Sequence, residues 1–162
     1  MGRKKPLPAT IWPINSAVEA LASADVSSTA KLQAVVNACS KLLAAADGVK
    51  ANTVDAGRLS VADLQAIGAL SAYDSTNGAI GGSTTAKALG TGPQQAAALK
   101  LFNEVIDGRT SVQVDTVAEL NQLNIVVDKV MDVTNGSASA LSAADFTTIG
   151  IFGVTSGNWR MS

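Results

Sequence analysis

The sequence predicts an all-α fold: two related helical repeat units, about six helices in all, packed into a bundle or short solenoid. Three observations predict it. Residues 32–48 and 120–136 are the same segment written twice, 88 residues apart. Each copy carries apolar residues stepping by three and four, the spacing of one helix face. Each copy is then followed by a shared phrase, Leu59-Ser-Val-Ala-Asp-Leu-Gln-Ala-Ile-Gly68 in the first and Leu141-Ser-Ala-Ala-Asp-Phe-Thr-Thr-Ile-Gly150 in the second. An internal repeat makes a chain a piece of an array before it makes it anything else. Arrays serve mostly as scaffolds or binding surfaces.

In chain order, residues 1–12 read as a basic tail. Its cations Arg3, Lys4 and Lys5 are not followed by the apolar run of a signal peptide. They suit a solvated tail or a leftover of expression. Unit 1 covers 13–70. Its first helix is expected over 14–24, with Ile14, Val18 and Leu21 at helical spacing. The second is expected over 29–46, with the stripe Leu32, Val35, Cys39, Leu42 and Ala46. The matching stripe of the second copy is Leu120, Leu123, Val127, Val130 and Thr134. Ser60 to Asp63 and Ser142 to Asp145 read as caps of short helices, which Gly68 and Gly150 end at low cost in a positive-φ conformation. Thr116 and Glu119 form a capping box. The first copy has Ser28 and Lys31 there, keeping the cap and losing the box.

Residues 71–92 are rich in Gly, Ser and Thr and have no counterpart after Gly150, so they read as an insertion or linker with a short helix near 84–89. Unit 2 covers 93–157. Pro93 suits a first helical turn, and Ala97, Ala98, Leu101, Phe102, Val105 and Ile106 make a broad apolar face. This helix is the counterpart of the first one: Ile14, Asn15 and Val18 match Phe102, Asn103 and Ile106. Residues 153–162 look like the start of a further unit. Short links favour antiparallel neighbours, and the many alanines permit close approach between helices.

The chemistry is sparse. Among 162 residues there is no histidine, which removes Ser-His-Asp and Cys-His activation and the commonest zinc ligand. Charged residues are 15%, the net charge is -1 and aromatics are 4%, so neither phosphate neutralisation nor base stacking has the groups it needs, and a nucleic-acid partner is not expected. No apolar run reaches the ~18 residues of a membrane span. Single Cys39 cannot form an internal disulfide, and its match to Val127 reads as a packing position. Ser28-Thr-Ala-Lys31 has the Ser-x-x-Lys spacing of penicillin-binding enzymes without their partner motifs, and a helix cap explains it. Gly78-Ala-Ile-Gly-Gly-Ser83 lacks the Gly-Lys-Ser/Thr ending of a phosphate loop. Asp47, Asp55, Asp107 and Asp115 lack EF-hand spacing, and turn chemistry accounts for the Asp-Gly pairs. No catalytic, metal or cofactor residue is expected. Trp12, Val154 and Trp159 are the candidate contacts between units or subunits.

Val114-Asp-Thr-Val-Ala-Glu-Leu120, the phrase Leu-Ser-Ala-Ala-Asp-Phe and Ile149-Gly-Ile-Phe-Gly-Val-Thr-Ser-Gly-Asn-Trp159 resemble the helical repeats of very large bacterial surface proteins, the repetitive adhesin-like or biofilm-associated proteins, often type I secreted. The resemblance covers most of 14–159, is strongest over 101–159 and weakest over 69–92. It implies an extracellular stalk or spacer at the bacterial cell surface, with neighbouring repeat units or identical subunits as partners and no catalytic residue to carry over. The Gly-Gly-x-Gly-x-Asp calcium nonapeptides of some such proteins are absent from the chain. The alternative is a small protein that assembles head to tail into a filament through 154–162 and 8–12.

Overall fold

Short polar side chains set the helix starts. Ser28 Oγ accepts from the Lys31 amide at 3.3 Å. The Thr116 hydroxyl accepts from the Glu119 amide at 3.3 Å, and the Glu119 carboxylate accepts from the Thr116 amide at 3.0 Å. The two short helices repeat this exchange. Ser60 and Asp63 trade bonds of 3.2 and 2.8 Å, and Ser142 and Asp145 do the same at 3.2 and 2.8 Å. Such a box satisfies two helix-start amides that otherwise have no partner in the chain. Gly68 and Gly150 follow the short helices with φ of 79° and 80°, a region that costs glycine nothing.

A computed structural model describes residues 11–50, 57–69, 93–134, 136 and 141–155. These form six α-helices: α1 (Ile11–Ala20), α2 (Thr29–Ala45), α3 (Val61–Ala66), α4 (Pro93–Asp107), α5 (Val117–Thr134) and α6 (Ala143–Thr148), with a 3-10 turn at Ser111–Gln113. The fold is all-α. Among the described residues there is no strand, and the one extended pairing is an isolated antiparallel bridge between Asp47 and Thr110. The order of elements repeats as expected: a first helix, a long helix, then a short one. The linker over 71–92, the expected helix at 84–89, the Gly78 to Ser83 loop, Asp55 and Trp159 lie outside the described residues.

Packing follows the repeat. The long helices α2 and α5 carry the short helices α3 and α6. Each first helix lies on the long helix of its own unit, α1 on α2 and α4 on α5. Two further contacts cross between units, α4 against α2 and α1 against α5. One continuous core results, with Leu42, Leu64, Ile67, Phe102, Ile106, Val114, Leu120 and Val127 among its members. The units therefore share their apolar interior. Neither short helix has enough surface of its own to close one.

Two expectations need correction. The first helix runs Ile11–Ala20, earlier than 14–24. Pro13 is tolerated because first-turn amides are free anyway. Beyond Ala20 the Asp25 carboxylate takes the Ala22 amide at 3.3 Å, and the Asp25 amide bonds the Ala22 carbonyl at 2.8 Å, so a turn replaces the next helical turn. The apolar stripes are also shorter than the periodicity suggests. Leu32 and Val18 are exposed and Thr134 faces solvent, whereas Pro13 and Ala17 form the buried side of α1. Period alone marks a face, and which part of that face is covered depends on the neighbouring helices.

Candidate functional site at the junction between repeat units

Helix α4 joins the two units, and Asn103 is its central polar residue. Its side chain is 5% exposed. The carboxamide oxygen accepts from the Leu59 amide at 2.8 Å, and the nitrogen donates to the Leu59 carbonyl at 2.9 Å and to the Leu99 carbonyl at 3.0 Å. One acceptor and two donors are all used, which is what burying an amide requires. The pair of bonds to Leu59 imitates an antiparallel strand contact. It fixes the start of the α3 phrase of unit 1 onto the first helix of unit 2. Beside it Arg58 Nη1 pairs with Glu104 Oε1 at 2.7 Å. That pair is partly solvated and contributes about 0–1 kcal/mol.

Three further ties cross between units. The Val117 amide donates to Ser16 Oγ at 3.0 Å, joining the start of α5 to α1. The Gly48 amide donates to the Arg109 carbonyl at 2.8 Å, next to the Asp47–Thr110 bridge. Lys50 lies close to Gly108, where an added Cβ would meet its side chain at 2.8 Å. Within unit 2, the Arg109 guanidinium donates to the Thr148 carbonyl.

A second polar device appears once in each unit. Lys41 Nζ on α2 meets Asp63 Oδ2 at 2.9 Å, and Lys129 Nζ on α5 meets Asp145 Oδ1 at 2.9 Å. Each aspartate thus caps its short helix and holds it to the long one. Burial pushes the Asp63 carboxyl up, but the Ser60 hydroxyl and amide and then Lys41 outweigh it, and its pKa lies below the ordinary value. At Asp145 burial again raises the pKa, and the Ser142 amide, Lys129 and the Ser142 hydroxyl bring it below the ordinary value. A carboxyl lowered on folding contributes stability above its unfolded pKa and loses it as pH falls through the folded one. Asp115 has the opposite sign: burial and then the Glu119 charge raise it, so its contribution is lost as pH rises. With two lowered groups against one, the urea midpoint should fall as pH is taken below about 4, the ordinary carboxylate range. The double variant Asp63→Asn, Asp145→Asn should start lower at neutral pH and lose less on acidification. A midpoint that fell equally in both proteins would count against this assignment.

The residues singled out from sequence are dispersed. Trp12 is exposed on the first turn of α1, and Val154 is half-buried on the segment after α6. Neither takes part in the hydrogen bonds of the junction. Cys39 is 1% exposed, and burial pushes its thiol up to about 11, so at neutral pH it is a packed thiol rather than a thiolate. Ser28 caps α2, and Lys31 Nζ donates to the Ala24 carbonyl at 2.6 Å. Asp47 Oδ1 accepts from the Val49 amide at 2.8 Å, a turn bond. Among the described residues no three His, Cys, Asp or Glu side chains gather as metal ligands, and no helix is long and apolar enough to cross a membrane. An open cleft of about 410 Å³ lies beside Arg109, Glu119 and Thr148. Its two charged groups are already engaged, Arg109 with Thr148 and Glu119 with Thr116.

Sequence reasoning aligned Asn103 with Asn15 and missed that the amide is a clamp. It also missed both Lys–Asp pairs. The signal was there: lysine recurs at the same place in the two long helices, and aspartate recurs in both short-helix boxes. No protein-family model, no curated protein and no solved structure matches this chain. The described residues form an all-α protein in which α4, the first helix of unit 2, packs on α5 of its own unit and against α2 of unit 1.

Proposed function

We propose that the chain is a structural repeat segment of a bacterial surface adhesin, a stalk or spacer that sets length in cell-surface attachment or biofilm formation. The observation that carries this reading is the junction itself. The buried polar groups of the site hold one unit to the next through Asn103 and Leu59. Rigid unit-to-unit coupling is the property a spacer needs, because each unit of a solenoid contacts mainly its neighbours and length then grows by repetition. The resemblance of 101–159 to adhesin repeats supplies the cellular setting.

The test is to blot fractions of the cells that make this segment with an antibody raised against it. The reading expects a surface-associated polypeptide far larger than this chain. A cytosolic band at the size of the chain alone would sink it. A second reading, a small subunit of an extracellular filament packed head to tail, is favoured by the exposed apolar residues Val18 on α1 and Ile151 after α6. It expects a surface-associated band at the size of this chain.

A further inference from the structure

The two first helices are equivalent in sequence but not in burial. Phe102, Asn103 and Ile106 on α4 are all buried, whereas their counterparts Ile14, Asn15 and Val18 on α1 are half-buried, exposed and 38% exposed. The same asymmetry appears on the other side of the junction. Leu59, Leu64, Ile67 and Ala69 in unit 1 are buried, and their counterparts Leu141, Phe146, Ile149 and Ile151 in unit 2 are half-buried or, for Ile151, 47% exposed. On the long helices Leu42 and Ala45 are buried, whereas Val130 and Val133 are half-buried. So the positions buried in the short-helix phrase of unit 1 and on α4 recur half-covered or exposed in the short-helix phrase of unit 2 and on α1.

The polar groups agree with the apolar ones. Asn103 engages both backbone groups of Leu59. Among the described residues, no group bonds the Asn15 carboxamide, and none bonds the amide or carbonyl of Leu141. An amide clamp and its backbone target are present at opposite ends, each without the partner that its twin has.

We propose that the face made by α6 and the C-terminal half of α5 docks helix α1 of a second copy of this chain, with Asn15 clasping the backbone of Leu141 as Asn103 clasps Leu59. The inference rests on the reading of the chain as a unit of an array and names that array's contact. The operation that carries unit 1 onto unit 2 is applied once more, between chains. The contact is heterologous and does not close on itself, so it propagates. The internal junction serves as its template, down to an asparagine at the same place on the same helix.

The experiment is sedimentation velocity on the full chain up to about 1 mM, the effective concentration that a short flexible tether supplies. The native chain should grow steadily larger with concentration. Val18→Glu spoils the α1 side and Ile151→Glu the α6 side. Both positions are exposed in the single chain, so circular dichroism and melting should be unchanged. Each variant alone should stay monomeric. An equimolar mixture should form a one-to-one dimer and stop there, because one intact α1 meets one intact α6 face. Asn15→Ala should weaken association about 10- to 100-fold, the loss of one buried clamp. In the assembled state the Leu141 amide should become protected from hydrogen exchange.

A native chain that stays monomeric to about 1 mM overturns the proposal. So does a mixture of the two glutamate variants that remains monomeric while the native chain associates, since the contact would then lie elsewhere. The two readings fail separately. A cytosolic location defeats the adhesin stalk whatever the chain does in solution, and a strict monomer defeats the docking contact whatever the size and location of the native polypeptide.

Discussion

Phe102→Ala is expected to lower the unfolding free energy by about 3–5 kcal/mol, the range for emptying a fully enclosed phenylalanine site. Phe102 is 1% exposed and is the bulkiest fully buried side chain among the described residues. It sits on α4, which packs against both α2 and α5, so the void opens where the two units meet. Domains of this size have about 5–15 kcal/mol in total, and a loss of that order takes a large part of it. Phe102→Ile is the matched control, because isoleucine stands at the equivalent position of α1 as Ile14. It keeps a branched apolar side chain and should cost distinctly less. Urea denaturation followed by circular dichroism measures both. The alanine variant should shift the midpoint with little change in slope, since the same surface is exposed on unfolding. A loss below about 1 kcal/mol, the scale of an ordinary surface change, would show that Phe102 does not anchor the junction.

Much of this fold was legible because it is local. The caps at Ser28, Ser60, Thr116 and Ser142 are decided within four residues, and all four are present in the structure. Pro93 begins α4 as its chemistry suggests. What sequence could not supply was tertiary. Leu32 and Val35 lie on one predicted stripe, yet Leu32 is exposed and Val35 buried, because neighbouring helices cover only part of α2. The junction was hidden for a related reason. Asn103 looks like a polar interruption in an apolar face, and only the fold shows that the backbone of Leu59 lies opposite. The repeat held the missing information. Two copies of one pattern placed in different surroundings separate what a helix needs for itself from what it needs for a neighbour.

Ser16 and Glu104 illustrate that separation. They are equivalent positions on α1 and α4, yet Ser16 accepts the Val117 amide at the start of α5, while Glu104 faces Arg58. The position has diverged with its environment. Asn15 and Asn103 have not diverged in residue type although their environments differ as much. A conformational requirement of the helix itself does not explain an asparagine there, since asparagine is a poor helix former. For Asn103 a partner does, and it is visible in unit 1 as the backbone of Leu59.

Asn103→Ala is therefore expected to cost about 2–5 kcal/mol, because it leaves both the amide and the carbonyl of Leu59 buried without a partner and each such group costs about 1–3 kcal/mol. Leu59 is 2% exposed, so water has little access to replace the lost bonds. Asn103→Asp should do no better. A carboxylate still accepts from the Leu59 amide but repels the Leu59 and Leu99 carbonyls, and it brings an unpaired charge into a buried site. The decisive comparison lies within the same chain. Asn15→Ala removes the same side chain from the same place on the equivalent helix, but from an exposed position, and surface changes of that kind stay within about 0.5 kcal/mol. Chemical denaturation at low protein concentration measures both. A large loss at 103 beside a negligible one at 15 means that the amide acts through the neighbour it holds. Equal losses at both positions would assign its effect to the helix itself and remove the clamp from the account of how the units are joined.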